Sequence, residues 1–320
     1  MKILHIEPSC YADEAKSLLA QLGDADYLEV GMQEEFLEVV QRKPYQALFV
    51  KLGVSVNEQI MDLMPELEYI LTPTTGLNHI DMEGAKERGI TVISLKGETE
   101  FLHTIKSTAE HTWMLLLALI RNLPGALVDV KKDKWRREPF LAEELDGKTL
   151  GIIGFGRLGK MVARYAKAFD MRILTNDIDP EAYAGTDQEN SELDFLLKEA
   201  DVVSLHIPSN EENFRFFNAE KFARMKSDAV LINTARGEVV DEEAFLYALK
   251  TRKIAGAAID VLNGDSVWEE DIPAGNPLVE YARKHNNLLI TPHMGGYGRT
   301  SIENTRTFIV KKFIKHLENL

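Results

Sequence analysis

Along the first 95 residues, short runs of apolar, β-branched residues alternate with amphipathic stretches. Lys2 to Glu7, Tyr27 to Val30, Ala47 to Lys51, Glu68 to Leu71 and Thr91 to Leu95 are predicted strands. Ala12 to Leu22, Gln33 to Gln41, Glu58 to Met64 and Met82 to Arg88 carry apolar residues at i, i+3, i+4 spacing and are predicted helices. The strands are too apolar to keep one face in water, which points to a parallel sheet covered by helices. Ser107 to Asn122 is a long apolar helix, hydrophobic nearly all round from Trp113 to Ile120, and is therefore expected to be buried between domains or between subunits. A basic, proline-containing stretch, Lys131 to Pro139, leads into a second series. Its strands are Thr149 to Ile153, Arg172 to Asn176, Asp201 to His206, Ala229 to Asn233, Ala255 to Asp260 and Leu288 to Thr291. The closing helix, Ile302 to Leu317, is expected to cross back and cover the first sheet. The pattern thus predicts an α/β chain of two doubly wound parallel-sheet domains, residues 1–104 plus 294–320 and residues 105–293.

Length and composition agree with two ordinary globular cores: 320 residues, 45% hydrophobic and 28% charged. The longest apolar run, Trp113 to Ile120, is far short of the ~20 residues of a bilayer span. The start of the chain is interrupted by His5 and Glu7 before an apolar signal region forms. Cys10 is the single cysteine, so no internal disulfide and no cysteine metal cage is expected. These features point to the cytoplasm, with no metal. A formal charge of −14 repels nucleic acid and anionic membrane. An anionic substrate must then be held by a few placed cations or backbone amides.

The most informative local chemistry follows the strand at Thr149. Gly154, Gly156 and Gly159 form GxGxxG between that strand and a helix whose expected buried face is Leu158, Met161, Val162, Tyr165, Ala166 and Phe169. Such glycines permit a tight turn, close approach to a pyrophosphate and close helix packing, while the helix N-terminus favours negative charge. Asp177 lies 18 residues after Gly159 at the end of the next strand. Its carboxylate suits the two adenosine ribose hydroxyls. A 2′-phosphate about 4 Å away would be repelled by ~1 to ~4 kcal/mol, which favours NAD over NADP.

Ligands of open α/β sheets sit beyond the carboxyl ends of the strands. There the chain carries His206-Ile207-Pro208, Thr234-Ala235-Arg236-Gly237, Asp260 with Asp265 after it, and Pro292-His293. An arginine, two carboxylates and a histidine at one edge can clamp an anion and move a proton, although each alone also suits a salt bridge, a turn or a satisfied histidine. Residues 232–237 (INTARG) with Val239-Val240-Asp241, GAAIDV at 256–261 and TPHMGG at 291–296 resemble the D-isomer-specific 2-hydroxyacid dehydrogenase family. So do Ser107-Thr108-Ala109-Glu110-His111 and Thr75-Gly76-Leu77-Asn78-His79-Ile80-Asp81. The resemblance runs in order through nearly the whole chain.

That resemblance implies a flavodoxin-like substrate domain and a Rossmann NAD-binding domain with a cleft between them, a homodimer, and hydride transfer between NADH and C2 of a 2-keto or D-2-hydroxy acid. By position, Arg236 would hold the substrate carboxylate and polarise the keto oxygen. His293 would be the acid in reduction and the base in oxidation. Amides at Thr75, Gly76 and Leu77 would bind the carboxylate. Arg157 and Leu158 would meet the pyrophosphate, and His206, Pro208, Thr234, Ala235, Asp260, Gly295 and Gly296 would line the rest of the cofactor. The family usually pairs its histidine with a glutamate where this chain has Asp265, one methylene shorter. Asp265 is therefore expected to act on His293 more by charge than by a direct bond, so that Asp265→Asn moves the alkaline limb of reduction to lower pH. Glu269 and Glu270 lie nearby in a poorer register. His103 and His111, Lys96 and the basic run Lys131 to Arg137 read more simply as structural or solvated groups. A different function class, an NAD(H)-sensing corepressor-like protein of the same fold, is the alternative.

Overall fold

The computed structural model describes residues 1–7, 11–268 and 271–320; Cys10, Glu269 and Glu270 lie outside the described residues. These residues gather into two compact units. Met1–Ile105, Gly264–Pro273 and Tyr297–Leu320 form the first, and Lys106–Asn263 with Ala274–Gly296 the second. Segment 264–273, which the hydrophobic pattern leaves in the second half, is carried with the first: the Gly53 amide donates to Ser266 O at 3.1 Å.

The first unit is a five-stranded parallel sheet of β1 (Lys2–His5), β2 (Asp24–Tyr27), β3 (Ala47–Phe49), β4 (Tyr69–Leu71) and β5 (Thr91–Ile93) in the order β2-β1-β3-β4-β5. This is the flavodoxin-like winding. Its helices are α1 (Asp13–Leu19), α2 (Gln33–Val39), α3 (Glu58–Asp62), α4 (Met82–Glu87), α5 (Thr99–His103) and, from the end of the chain, α13 (Arg299–Glu318). The closing helix does return: Ile309, Val310 and Phe313 are fully buried against Ile3, Phe49 and Leu71. Phe36, Ile60 and Met61 of α2 and α3 cover the opposite face with Leu4 and Leu48.

The second strand lies three residues earlier than the apolar pattern predicts. An edge strand is held by main-chain pairing, here Lys2↔Asp24 to His5↔Tyr27, and its outer side is solvated, so Asp24 and Asp26 are tolerated. Val30 enters the core from the connection beyond it. At the end of β1, the His5 imidazole is buried and stacks on Phe49 at 5.3 Å. Burial, with help from the nearby Arg306 and Lys16 charges, drives its pKa down to about 3.

The second unit holds β6 (Thr149–Ile153), β7 (Arg172–Asn176), β8 (Val202–Leu205), β9 (Val230–Asn233), β10 (Gly256–Ile259) and β11 (Leu288–Ile290), all parallel, in the order β11-β10-β9-β8-β6-β7. Asn190 adds a single parallel bridge to Thr175 on β7. Counting that bridge as a vestigial third strand, the order becomes 3-2-1-4-5-6-7, the dinucleotide-binding winding extended by one strand. The helices are α6 (Ser107–Ile120), α7 (Leu123–Lys131), α8 (Arg157–Ala168), α9 (Leu193–Glu199), α10 (Ala219–Arg224), α11 (Glu242–Lys250) and α12 (Pro277–Ala282).

Helix α7 is absent from the periodicity. Asn122, at φ +50°, breaks the long apolar helix in the left-handed conformation that asparagine tolerates, and Pro124 starts a new helix at its first turn. The basic run after it, residues 131–137, is exposed throughout, as a solvated segment is expected to be, and Arg136 reaches back from it to the buried Asp129 at 2.6 and 2.9 Å. Among the described residues no single helix is long and apolar enough to cross a membrane.

Candidate active site

The glycine loop has the form its residue types dictate. Gly154 is at φ +93°, and a Cβ there would stand 2.6 Å from His206 O. At Gly159 a Cβ would meet Gly154 O at 2.3 Å, so only glycine lets α8 seat on β6. Above Gly156 the space is open, with no heavy atom within 4 Å of an added Cβ, and α8 begins one residue later at Arg157. Burial lowers the Arg157 pKa from its usual value. The buried face of α8 is Gly159, Met161, Val162, Ala163 and Ala166. Phe169, expected on that face, is instead 40% exposed.

Asp177 anchors this loop from the next strand. Its Oδ2 accepts from the Phe155 amide at 2.6 Å and its Oδ1 from the Asp179 amide at 2.9 Å. A carboxylate has about four acceptor positions, so two remain for a vicinal diol. Asp179 and Glu181 follow, adding negative charge where a 2′-phosphate would need cations. The open glycine cradle, helix terminus and half-satisfied carboxylate fit a nicotinamide dinucleotide with an unphosphorylated ribose. Beside the cradle, His206 Nε2 lies 2.9 Å from Ser204 Oγ, and burial pulls its pKa down to about 4, so the ring is neutral.

Three further strand ends carry the remaining chemistry. After β9, the Asn233 side chain brackets the turn, accepting from Ala235 N at 3.0 Å and donating to Arg236 O at 2.9 Å. Arg236 is half-buried, with one guanidinium nitrogen 2.7 Å from Ala235 O. A Cβ on Gly237 would lie 2.0 Å from the Leu262 carbonyl carbon, so glycine is required where that backbone passes. After β11, His293 adopts φ +49°, and its amide donates to Asp260 O at 2.8 Å and Thr291 O at 3.0 Å. Strands β9 and β11 flank β10, about 10 Å apart at ~4.8 Å per spacing, a span that an arginine and a histidine can bridge across a small acid.

The Asp260 carboxylate, which the family resemblance implies along a cofactor, is met by four donors of its own unit. Thr291 Oγ1 donates at 2.5 Å and Met294 N at 3.0 Å to Oδ1, Gly295 N donates at 2.7 Å to Oδ2, and His111 Nε2 lies 3.1 Å from Oδ1. The contribution of His111 was not legible in the sequence, because its partners lie 149 and 180 residues away; the signal was the face it shares with Ser107, one helical turn earlier. In the first unit, Thr75, Gly76 and Leu77 form the connection after β4, braced by Thr74 Oγ1 donating to Gly76 O at 2.8 Å. Asp265 opens a short 3-10 turn, Asp265–Val267, after Gly264 at φ +79°. Asp265 is thus carried with the first unit and His293 with the second.

The apolar helix α6 is not covered on every side. Met114 is 46% exposed, and with Trp113, Leu117, Leu123, Tyr165 and Phe169 it lines an open apolar groove of about 850 Å³. The groove is lined by side chains of α6, the start of α7 and the end of α8.

Residues 113–295 match the family described as D-isomer specific 2-hydroxyacid dehydrogenase, NAD binding domain. The D-3-phosphoglycerate dehydrogenase of Archaeoglobus fulgidus is 33% identical over 324 residues, covering 100% of this chain and 58% of that relative. The chain therefore spans little more than half the length of such relatives. The hydroxypyruvate reductase of Thermotoga maritima is 33% identical over 290 residues, 89% of this chain and 88% of its own. Among solved structures, the D-lactate dehydrogenase of Aquifex aeolicus, complexed with NAD and lactic acid, superposes with a TM-score of 0.83 at 29% identity, covering 100% of this chain and 96% of that one.

Proposed function

Because the chain belongs to the D-isomer specific 2-hydroxyacid dehydrogenase family, we propose that it transfers a hydride between NADH and C2 of a small 2-keto acid, the reverse reaction oxidising a D-2-hydroxy acid. The observation that carries this reading is the convergence, on one sheet edge, of the glycine cradle, Arg236 after β9 and His293 after β11.

Gly154, Gly156, Arg157, Leu158 and Gly159 hold the pyrophosphate, Asp177 the ribose hydroxyls, and His206, Pro208, Thr234, Ala235, Gly295 and Gly296 the remaining cofactor surface. When bound there, the nicotinamide supplies or accepts the hydride. The Arg236 guanidinium binds the substrate carboxylate in bidentate fashion and draws electron density toward the keto oxygen, which makes C2 more electrophilic. A ring nitrogen of His293 gives its proton to that oxygen in reduction and takes it back in oxidation. Backbone amides of Thr75, Gly76 and Leu77 add donors to the carboxylate, and Asp265 acts on His293 through its charge. A cytoplasmic location suits a chain of this composition. A homodimer suits the apolar groove on α6, which a second copy would remove from water.

The reading is tested by following NADH absorbance with glyoxylate, pyruvate, hydroxypyruvate, phenylpyruvate, 2-oxoglutarate and phosphohydroxypyruvate, with NADPH in parallel. Turnover on at least one acid, lost in both Arg236→Ala and His293→Ala, is the expected result. NADH binding with no turnover on any acid would favour a sensing role instead.

A further inference from the structure

The reaction edge of the second unit is bolted to one face of helix α6 by hydrogen bonds that reach both acting loops. Ser107 Oγ donates to Gly295 O at 2.8 Å, two residues beyond His293. One turn later on the same stripe, His111 Nε2 sits 3.0 Å from Thr291 Oγ1 and 3.1 Å from Asp260 Oδ1. The Thr291 hydroxyl has a single proton and gives it to Asp260, so its oxygen accepts from His111 and the imidazole carries its hydrogen on Nε2. Asp260 in turn holds the amides of Met294 and Gly295, and its own carbonyl holds the amide of His293.

The neighbouring stripe of the helix addresses the other loop. Thr112 Oγ1 spends its proton on Thr108 O at 2.8 Å, so the Thr234 hydroxyl is the donor in the 2.7 Å contact between the two buried threonines. Thr234 stands two residues before Arg236. The loop after β11 is also pressed onto the helix, since a Cβ on Gly295 would lie 2.9 Å from Asp260 Oδ2 and 3.4 Å from Thr108 Cγ2.

We propose that Ser107, His111 and Thr112 are positioning residues: α6 sets where the acid His293 stands relative to the carboxylate anchor Arg236. The inference rests on the roles proposed above for those two residues. A static tether of this kind matters because proton transfer and hydride transfer demand near-attack geometry, and a displacement of about 1 Å can cost on the order of a hundredfold in rate. The left-handed backbone of His293 makes the tether consequential, because that conformation persists only where its surroundings hold it.

The test uses the full chain and three readouts: kcat and KM for whichever acid turns over, NADH affinity by fluorescence, and melting temperature. His111→Leu is expected to lower kcat about tenfold to a hundredfold while NADH affinity stays within about threefold. His111→Gln, which can again donate toward Thr291 and Asp260, should restore most of the loss. Thr112→Val is expected to act on the anchor, raising KM for the acid more than it lowers kcat, with rescue by Thr112→Ser. Ser107→Ala, which removes one hydroxyl, gives a smaller fall in kcat and serves if His111→Leu does not fold. Wild-type kcat in His111→Leu and Ser107→Ala, or losses that Gln and Ser fail to rescue, would overturn the proposal. Retained turnover in His293→Ala and Arg236→Ala would instead overturn the roles on which it rests.

Discussion

At the scale of single residues, the chemistry is held in place by backbone as much as by side chains. His293 sits at φ +49°, a region that costs a non-glycine residue about 1 kcal/mol or more, and two carbonyls receive its amide. Asparagine tolerates the same conformation. His293→Asn should therefore keep melting temperature and NADH affinity near those of the parent while turnover falls by at least about a hundredfold, the scale of general acid catalysis. Loss of NADH binding in that variant would mean the side chain serves the cofactor instead of the proton. Candidate residues were legible in the sequence where they stand within three residues of a strand's carboxyl end, as Gly154, Arg236 and His293 do. Asp260 was visible only as a residue type. Its partners are a helix histidine and amides of a loop more than 30 residues away, and non-local hydrogen bonds leave no periodic trace.

At the scale of elements, hydrophobic periodicity located the long buried strands well and the surface pieces poorly. Strand β6, buried along its length, spans Thr149–Ile153 as the pattern predicts, whereas β2 is an edge strand whose polar sequence is fixed by pairing with β1. Helix α7 escaped because its start depends on the left-handed Asn122 and on Pro124, not on an apolar stripe. The open side of α6 has a related reason: composition shows that a face is apolar but not what covers it. Met114 on that face is 46% exposed. Placing a carboxylate there by Met114→Glu imposes a desolvation cost of several kcal/mol on any interface that buries it. The parent is expected to scatter light as twice 36.1 kDa and the variant as 36.1 kDa. An unchanged mass in the variant would place the interface elsewhere.

At the scale of the whole molecule, each unit keeps a histidine ring neutral by burial, His5 in the first and His206 in the second, with pKa values drawn down to about 3 and about 4. Both values lie below the ordinary 6.5, so the unfolded chain binds protons that the native state refuses. Stability is fully present above about pH 6.5 and is lost as pH falls toward the folded values, at about 1.4 kcal/mol per pH unit for a fully buried ring. His5→Phe, which keeps an aromatic partner for Phe49, should flatten the decline in melting temperature between pH 6.5 and 4. A parallel decline in both proteins would contradict that assignment. The two-unit α/β organisation was readable from the alternation of strands and helices, but the transfer of 264–273 to the first unit was not, since nothing in its composition distinguishes it from a loop of the second.

In the proposed reaction a hydride moves from the cofactor to C2 of a keto acid on the face that yields the D product. The most direct measurement is to supply NADH carrying deuterium on the transferred C4 position, together with the acid that turns over best, and to locate the label by NMR. One deuterium is expected at C2 of a 2-hydroxy acid of D configuration, with none in the His293→Ala reaction. Label remaining on the cofactor or released to water, or a product of L configuration, would contradict it.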